Sequence, residues 1–303
     1  MVANAISAPG SVVLSQPRRM DPIIRMVSPD DAAVAGSICH AAFKSISDHH
    51  RFPPDFPTAD IAIGLIEHLV ARADVHGVVA ERNGRVIGSN FMWEDAVAGV
   101  GPITIDPAVQ NSGVGRRLMQ AVIERARSKG LASVRLVQAA YHSRSLSLYT
   151  RLGFEVREPL SCMQGPALNR RIDGCHVRPA TAADLAEADS LYRSVHGHGR
   201  VRELRVAIEQ GSAVVVERDG RLTGYTTGIG FLGHAVAQSN EDLQALIGAA
   251  QAFAGPGFLL PSRNAGLMRW CLQHGLRIVQ PMTLMTMGPY QEPTAAFLPS
   301  VLY

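Results

Sequence analysis

Apolar and polar positions alternate along two stretches of the chain that resemble each other closely. Residues 78–88 and 214–224 each contain a short apolar run, an acidic and a basic residue, a turn pair and a second run. The turn pairs are Asn83-Gly84 and Asp219-Gly220. Such pairs favour two-residue hairpin turns, because both central residues of these turns have positive φ. The pattern therefore predicts two β-hairpins.

Two further pairs of similar segments occur in the same order along the chain. Residues 24–31 resemble residues 177–184, and both predict a strand, a helix cap and an amphipathic helix. Residues 152–154 align with residues 274–276, where a glycine ends a helix and a strand begins. These matches predict two copies of one αβ plan rather than chance similarity between common hairpins.

The segment between the copies indicates a linker. Residues 165–175 are polar and contain Gly165-Pro166 and Asp173-Gly174. At 303 residues the chain is long enough for two domains. We expect a disordered tail over residues 1–20, a first domain over residues 21–168 and a second over residues 169–303.

Candidate chemistry follows an apolar run at residues 100–105, which predicts a buried strand. Gly113 and Gly115 come next, and apolar residues at helical spacing continue over residues 116–127. A loop that wraps a pyrophosphate points backbone N–H groups inward, which side chains at the two glycines would hinder. A dinucleotide-binding loop would require a further glycine where Leu118 stands. The pattern indicates a phosphate site at a helix N-terminus, with a tight turn without ligand as the alternative.

The segment Gln110-x-x-Gly113-x-Gly115, after a strand and Asp106-Pro107, resembles the coenzyme A signature of the GNAT superfamily of N-acetyltransferases. Residues 142–154 resemble the closing motif of that family. Leu148, Tyr149, Gly153 and Phe154 match it, whereas His142 and Ser145 replace its asparagine and alanine. These motifs cover residues 78–154, and a weaker similarity extends over residues 25–165. The resemblance implies an α+β fold in which each half has a mixed, mostly antiparallel sheet flanked by helices.

The resemblance also implies roles for single residues. Tyr149 would protonate the departing thiolate, although a buried core aromatic is the alternative. Backbone groups of one strand would pair with the pantetheine arm, the glycine loop would hold the pyrophosphate, and two helix-start residues would contact the cofactor. The strand residues are Ile103, Thr104 and Ile105. The loop residues are Gln110, Asn111, Ser112, Gly113, Val114, Gly115 and Arg116, and the helix-start residues are His142 and Ser145.

The base that deprotonates the amine is left open by the sequence. Glu94 or Asp95 follows a predicted strand, but adjacent acids in a hairpin loop are often only a solvated turn. His142 is a further candidate, and a polar residue at a helix start is its alternative role. No cysteine neighbours the motifs, which favours direct attack in a ternary complex over an acyl-cysteine route.

The second copy lacks the glycine pair. Ser239 and Asp242 predict a capping box there, and Glu241 and Asp242 would repel a pyrophosphate. Cys271 takes the place of Tyr149, and Asn264 takes that of His142. We therefore expect a catalytically empty copy that walls the acceptor site, with the tail at residues 290–303 crossing back between the halves.

The composition of the chain argues against several kinds of partner and cofactor. The net charge is +3 and the arginines are scattered, so nucleic acid is not an expected partner. The four cysteines include no CxxC pair, and His49-His50 and His196-Gly197-His198, which we expect in loops, lack partners at metal-ligand spacing. We expect no metal and a reducing cytoplasm. No apolar stretch reaches the length of a membrane span, so no membrane partner is expected.

The sequence thus predicts an acetyl-coenzyme A-dependent N-acetyltransferase that acts on a primary amine of a small molecule or peptide. A non-catalytic acyl-coenzyme A sensor is the alternative. We expect a monomer with pseudo-dimeric halves or a homodimer. The acceptor and the acyl-chain length are not determined.

Overall fold

Two β-sheets flanked by helices make up residues 21–302, which are the residues that the computed structural model describes. The predicted tail at residues 1–20 lies outside the described residues. The predicted α+β class is confirmed.

The first half contributes seven strands and four α-helices. They are β1 (Ile23–Met26), α1 (Ala32–His50), α2 (Ala59–Ala71), β2 (Val75–Arg82), β3 (Arg85–Trp93), β4 (Ala98–Val100), β5 (Thr104–Ile105), α3 (Val114–Ser128), β6 (Val134–Ala139), α4 (Ser143–Arg151) and β7 (Glu155–Gln164).

The second half repeats this plan after the segment 165–175. Its elements are β8 (His176–Pro179), α5 (Leu185–His196), α6 (Val201–Glu209), β9 (Val214–Arg218), β10 (Arg221–Thr226), β11 (Ala235–Ala237), α7 (Asn240–Ala249), β12 (Phe258–Pro261), α8 (Ala265–Gln273), β13 (Arg277–Met287) and β14 (Ala296–Leu298).

Both predicted hairpins are present. Asn83 and Gly84 have φ values of 54° and 72°, and Asp219 and Gly220 have values of 52° and 72°. Positive φ at both central positions gives the turn a twist that matches the flanking strands. The local signal was sufficient here because the turn residues alone determine this geometry.

The two halves also begin with the same hydrogen-bonded unit. The Arg25 guanidinium donates to both Asp31 carboxylate oxygens at 2.7 and 2.9 Å, and to Glu81 Oε2 at 2.7 Å. Asp31 in turn accepts the Ser28 backbone N–H, so the arginine joins the start of α1 to strand β2. The second half repeats the unit with Arg178, Asp184, Glu217 and Thr181.

The two halves exchange strands. The larger sheet has the order β1-β2-β3-β4-β6-β13-β7-β12, with β5 paired to β3. Strand β13 of the second half therefore lies between β6 and β7 of the first, antiparallel to both. Strand β7 in turn pairs with β12 of the second half. The proposed division between residues 168 and 169 thus crosses one continuous sheet.

The apolar run at residues 100–105 forms two short strands instead of the single strand predicted. Strand β4 pairs with β3 and runs parallel to β6, whereas β5, beyond Gly101 and Pro102, pairs with β3. Proline lacks the N–H that would continue a ladder. The sheet opens here, and within residues 21–302 the other edge of β5 has no strand partner.

The equivalent edge in the second half is covered. Strand β11 pairs with β10 as β5 pairs with β3, and β14 pairs with its other side. The smaller sheet therefore has the order β14-β11-β10-β9-β8. The C-terminal segment was expected to cross between the halves. Its strand instead completes the second sheet, and of its described residues, up to Leu302, Val301 and Leu302 line the cavity between the halves.

We expect each half to require the other for folding, because β6 and β7 lose a common neighbour when β13 is absent. Residues 1–168 and 169–303, expressed separately, should be insoluble or show no cooperative unfolding by circular dichroism. Co-expression should restore a soluble complex.

As a control, a protease site placed in the segment 165–175 and then cut should leave the two pieces associated on a sizing column. A cooperative unfolding transition of residues 1–168 alone would contradict the interpretation.

Candidate active site

A cavity of about 1240 Å³ lies between the glycine loop, the open edge of β5 and the second half. Ligand pockets typically measure roughly 300–1000 Å³, so there is room here for a long ligand and a second molecule. The first half contributes Ile103 and Tyr149 to the lining, and the second contributes Phe231 and Leu302. The expectation that the second half walls the site agrees with this lining.

The glycine loop leads directly into α3: residues 110–113 precede the helix, and residues 114–116 belong to its first turn. Gly113 precedes the helix with a φ of 81°, in the left-handed region that glycine adopts without strain. The N–H groups of a first helical turn have no partner within the helix, and together with the helix dipole they favour an anion. The loop could therefore hold a phosphate group.

Close packing against β5 explains the second glycine. A Cβ atom at Gly115 would lie 3.1 Å from Ile105 Cδ1 and 3.5 Å from Leu148 Cδ2. The glycine thus brings the helix start near the open strand edge. Val114 packs its side chain into the core, which leaves only its backbone for a ligand, whereas Arg116 is exposed.

A side chain that the sequence analysis missed holds the loop. Arg144, in the first turn of α4, donates to Gln110 Oε1 at 2.7 Å and to Asn111 Oδ1 at 3.3 Å. Gln110 also donates to the Ile105 carbonyl at 3.4 Å, and Ser112 donates to the Val109 carbonyl at 2.6 Å. The sequence did contain a signal for this role: Arg144 is a basic residue at the start of a helix, where the helix dipole disfavours positive charge.

The two residues that depart from the family motif are hydrogen-bonded to each other. Ser145 Oγ lies 2.7 Å from His142 Nδ1, and Tyr149 follows one helical turn later in α4. Burial raises the pKa of Tyr149 to about 12, so the phenol keeps its proton at neutral pH. Burial, with Arg144 nearby, lowers the pKa of His142 to about 4, so the imidazole is neutral. Among the described residues, the buried His142 Nε2 has no hydrogen-bond partner.

Glu94 lines the same cavity but is engaged in an ion pair. Arg125 donates to its carboxylate at 2.6 and 3.3 Å, and these hydrogen bonds lower the pKa of Glu94. Arg202 of the second half also donates to the Glu94 carbonyl at 3.4 Å. A carboxylate held in this way is a weaker base, and the assignment of Glu94 as the base stays a prediction.

The second half differs at the place of the glycine loop. Ser239 caps α7 as predicted, accepting the Asp242 N–H at 3.2 Å. The Asp242 side chain is turned inward, accepting from Thr223 Oγ1 at 2.9 Å. It therefore does not project outward to meet a phosphate, contrary to the expectation from sequence. Glu241 is exposed.

A smaller cavity of about 370 Å³ remains at this place. It is lined by Ser239 and Asn264 and by residues 293–297 of the C-terminal segment. Asn264 caps α8 by accepting the Leu267 N–H at 3.2 Å, and Cys271 is buried. The segment that leads into β14 thus lies where the first half has the entrance to its large cavity.

The histidine pairs are not all in loops. His49 and His50 end α1, and His196 ends α5, where it stacks on Tyr192 with ring centroids 4.3 Å apart. Within residues 21–302, no group of three or more His, Cys, Asp or Glu side chains is arranged to hold a metal ion. None of the helices in this part of the chain combines the length and apolar character needed to cross a bilayer.

Comparison with known proteins finds similarity to one family within the first half. Residues 43–154 match the model of the acetyltransferase (GNAT) family. An IAA acetyltransferase from Azospirillum brasilense is 28% identical over 122 residues, which cover 39% of this chain and 80% of that protein. A mycothiol acetyltransferase from Arthrobacter sp. strain FB24 is 30% identical over 135 residues, which cover 42% of this chain and 41% of that protein.

The fold of the whole chain also has a solved counterpart. The crystal structure of a candidate acetyltransferase from Pyrococcus horikoshii superposes with a TM-score of 0.73, covering 93% of this chain and 95% of that chain at 17% identity. At this identity the likeness shows the fold alone. The family model and the curated relatives agree on the part of the chain that carries the cavity: residues 43–154 are similar to the GNAT acetyltransferases.

Proposed function

We propose that the first half transfers an acetyl group from acetyl-coenzyme A to a primary amine in a ternary complex. The observation that carries the proposal is one cavity in which a glycine loop at a helix start, an open strand edge and a buried, protonated tyrosine all take part. A phosphate-bearing thioester with an extended arm is complementary to these features.

The loop and β5 would bind the coenzyme. Backbone N–H groups at the start of α3 would donate hydrogen bonds to the pyrophosphate, with Arg116 and Arg144 adding positive charge. The free edge of β5 would hydrogen-bond the pantetheine arm as an added strand, a mode of recognition that β-sheet edges allow. His142 and Ser145 are bonded to each other and would contact the coenzyme near its thioester.

Tyr149 is the proposed acid. The amine first loses its ammonium proton to the proposed base, Glu94, directly or through water, and its nitrogen then attacks the acetyl carbonyl carbon. The carbon–sulfur bond breaks, Tyr149 donates its proton to the thiolate that leaves, and the proton that the new amide nitrogen sheds restores the tyrosine. The raised pKa of Tyr149 ensures that the proton is present when it is needed. Ser145, hydrogen-bonded to His142 and one helical turn before Tyr149, would position the hydroxyl.

Direct attack is supported by the composition of the cavity. None of its lining residues within the described chain is a cysteine. Burial raises the pKa of Cys162 to about 12 and also raises that of Cys39, so neither thiol is ionised at neutral pH.

We further infer that the second half is a degenerate copy without coenzyme, in a two-domain chain divided between residues 168 and 169. The repeated Arg-Asp-Glu unit supports a common origin of the halves. The strand β14 occupies the edge of β11 that would otherwise be open to a pantetheine arm.

Substitution Gly115→Asp should weaken acetyl-coenzyme A binding by roughly 10- to 1000-fold. A like-charge contact at about 4 Å costs about 1 kcal/mol in water and about 4 kcal/mol near a protein surface. Isothermal titration calorimetry measures the effect. Gly64→Asp, on the exposed face of α2 with open space around it, is the matched control and should bind normally. Unchanged affinity in a folded Gly115→Asp protein would remove the loop from the binding site.

The full chain should bind one coenzyme A, because the second half lacks the glycine pair and its strand edge is covered by β14. Titration calorimetry on the intact protein gives the stoichiometry. The Gly115→Asp variant should show no site of wild-type affinity, and a stoichiometric site that keeps the wild-type affinity in this variant would show that the second half is not empty.

Substitution Tyr149→Phe should lower turnover by roughly 10²- to 10⁴-fold with little change in acetyl-coenzyme A affinity, since only the proton donor is lost. Thiol release with an amine acceptor measures turnover.

Tyr290→Phe is the matched control for the loss of a buried hydroxyl. The Tyr290 hydroxyl has no hydrogen-bond partner in the described chain and lies outside the cavity lining. Wild-type turnover in Tyr149→Phe would make Tyr149 a core aromatic. A wild-type protein that binds acetyl-coenzyme A but acetylates no amine would favour an acyl-coenzyme A sensor.

A further inference from the structure

Asp55 lies in the segment between α1 and α2 and lines the large cavity. Its Oδ1 atom accepts a hydrogen bond of 3.0 Å from Gln280 Nε2. Gln280 belongs to β13 of the second half and is 2% exposed. Its Oε1 atom accepts from the Tyr141 hydroxyl at 3.3 Å, so the amide is held at both ends. The exchanged strand thus positions a carboxylate of the first half.

Asp55 differs from the other carboxylates that line this cavity. Three of these are paired with an arginine: Asp74 with Arg72, Glu94 with Arg125, and Glu203 with Arg200. Asp95 accepts from its neighbouring backbone N–H. Within residues 21–302, no basic side chain forms an ion pair with Asp55, and Gln280 supplies its side-chain hydrogen bond.

An unpaired carboxylate in such surroundings favours a cation. Burial raises the pKa of Asp55, because a charge removed from water without a counterion is unfavourable. The titratable groups near it are Tyr141, Cys39 and Cys162, whose own pKa values are raised and which stay neutral at pH 7. A bound ammonium group would supply the missing positive charge.

The walls near the same segment are apolar. Phe56 follows Asp55 in the chain and contacts Phe43 edge to face, with ring centroids 5.4 Å apart. Both rings line the cavity, together with Leu65 of α2 and Phe231 of the second half. These side chains can contact a hydrocarbon or aromatic body of a ligand. None of them could pair with a second charge on that ligand.

We propose that Asp55, held by Gln280, binds the ammonium group of an acceptor that carries a single positive charge and an apolar body, such as an arylalkylamine. The proposal rests on the proposed function, since it names the acceptor class of that site. It also gives the second half a role in acceptor binding through Gln280.

The test uses 2-phenylethylamine and its neutral counterpart 2-phenylethanol as probes of the full-length protein. Titration calorimetry gives both affinities, with and without saturating coenzyme A. The wild type should prefer the amine by roughly tenfold or more, the range expected for a hydrogen bond to a charged group. Asp55→Asn should lose this preference while keeping the affinity for the alcohol.

Two further variants sharpen the test. Asp60→Asn removes an exposed carboxylate of the neighbouring helix and should keep the wild-type preference. Gln280→Leu should reduce the preference for the amine over the alcohol severalfold while Asp55 is still present. This variant tests the role of Asp55 if Asp55→Asn does not fold. An unchanged preference in folded Asp55→Asn or Gln280→Leu would overturn the proposal. So would a wild type that does not distinguish the probes.

The outcome is independent of acetyl transfer. The probes are titrated without a thioester, so no chemistry takes place. If coenzyme A fails to bind, the proposed function fails, and the titrations without coenzyme A still decide whether Asp55 selects the cation.

Discussion

The backbone hydrogen bonds that β13 makes to both β6 and β7 are the constraint on which the rest of the structure depends. Buried N–H and C=O groups are almost always paired. Both β6 and β7 obtain their partners from β13, a strand that lies far away in the sequence. Because β7 pairs onward with β12, one ladder crosses both halves. The second half is thereby fixed against the open side of the first, where its residues close the large cavity.

One difference in strand pairing between the two halves bears directly on coenzyme binding. Strands β5 and β11 pair in the same way with the preceding hairpin, but the outer edge of β11 is covered by β14. A sheet edge either pairs with a neighbour or presents its polar groups to solvent or to a ligand. The first half therefore keeps an edge for an extended molecule, and the second half uses its own C-terminal segment instead. The covered edge supports the proposed absence of a coenzyme site in the second half more directly than the acidic residues at α7 do, since Asp242 is turned into the core.

Burial sets the charge of the side chains in the large cavity. It keeps Tyr149 protonated and His142 neutral, so neither these side chains nor Ser145, which hydrogen-bonds to His142, carries a charge. Other parts of the lining are charged: positive side chains lie near the glycine loop, and the carboxylate of Asp55 has no basic partner among the described residues. A cavity with these two features suits an anionic coenzyme and a cationic acceptor at the same time, each recognised by a different part of the lining.

Local signals in the sequence were enough for the hairpins and the glycine loop. Asn83-Gly84 and Gly113 adopt positive φ at little cost, a local preference that holds whatever surrounds them. Helical spacing after the loop likewise predicted α3. The repeat was also visible, since Arg25 and Arg178 occupy equivalent positions in similar segments. These features depend on residues within a few positions of one another.

The contacts that complete the site were decided by the tertiary structure. Asp55 and Gln280 are 225 positions apart, and Glu94 meets Arg125 over a separation of 31. No propensity of β13 or β14 specifies which strand edge each will join, because any extended segment offers the same backbone donors and acceptors. The choice follows from which pairing buries the most apolar surface with every backbone group satisfied, and this depends on the whole chain.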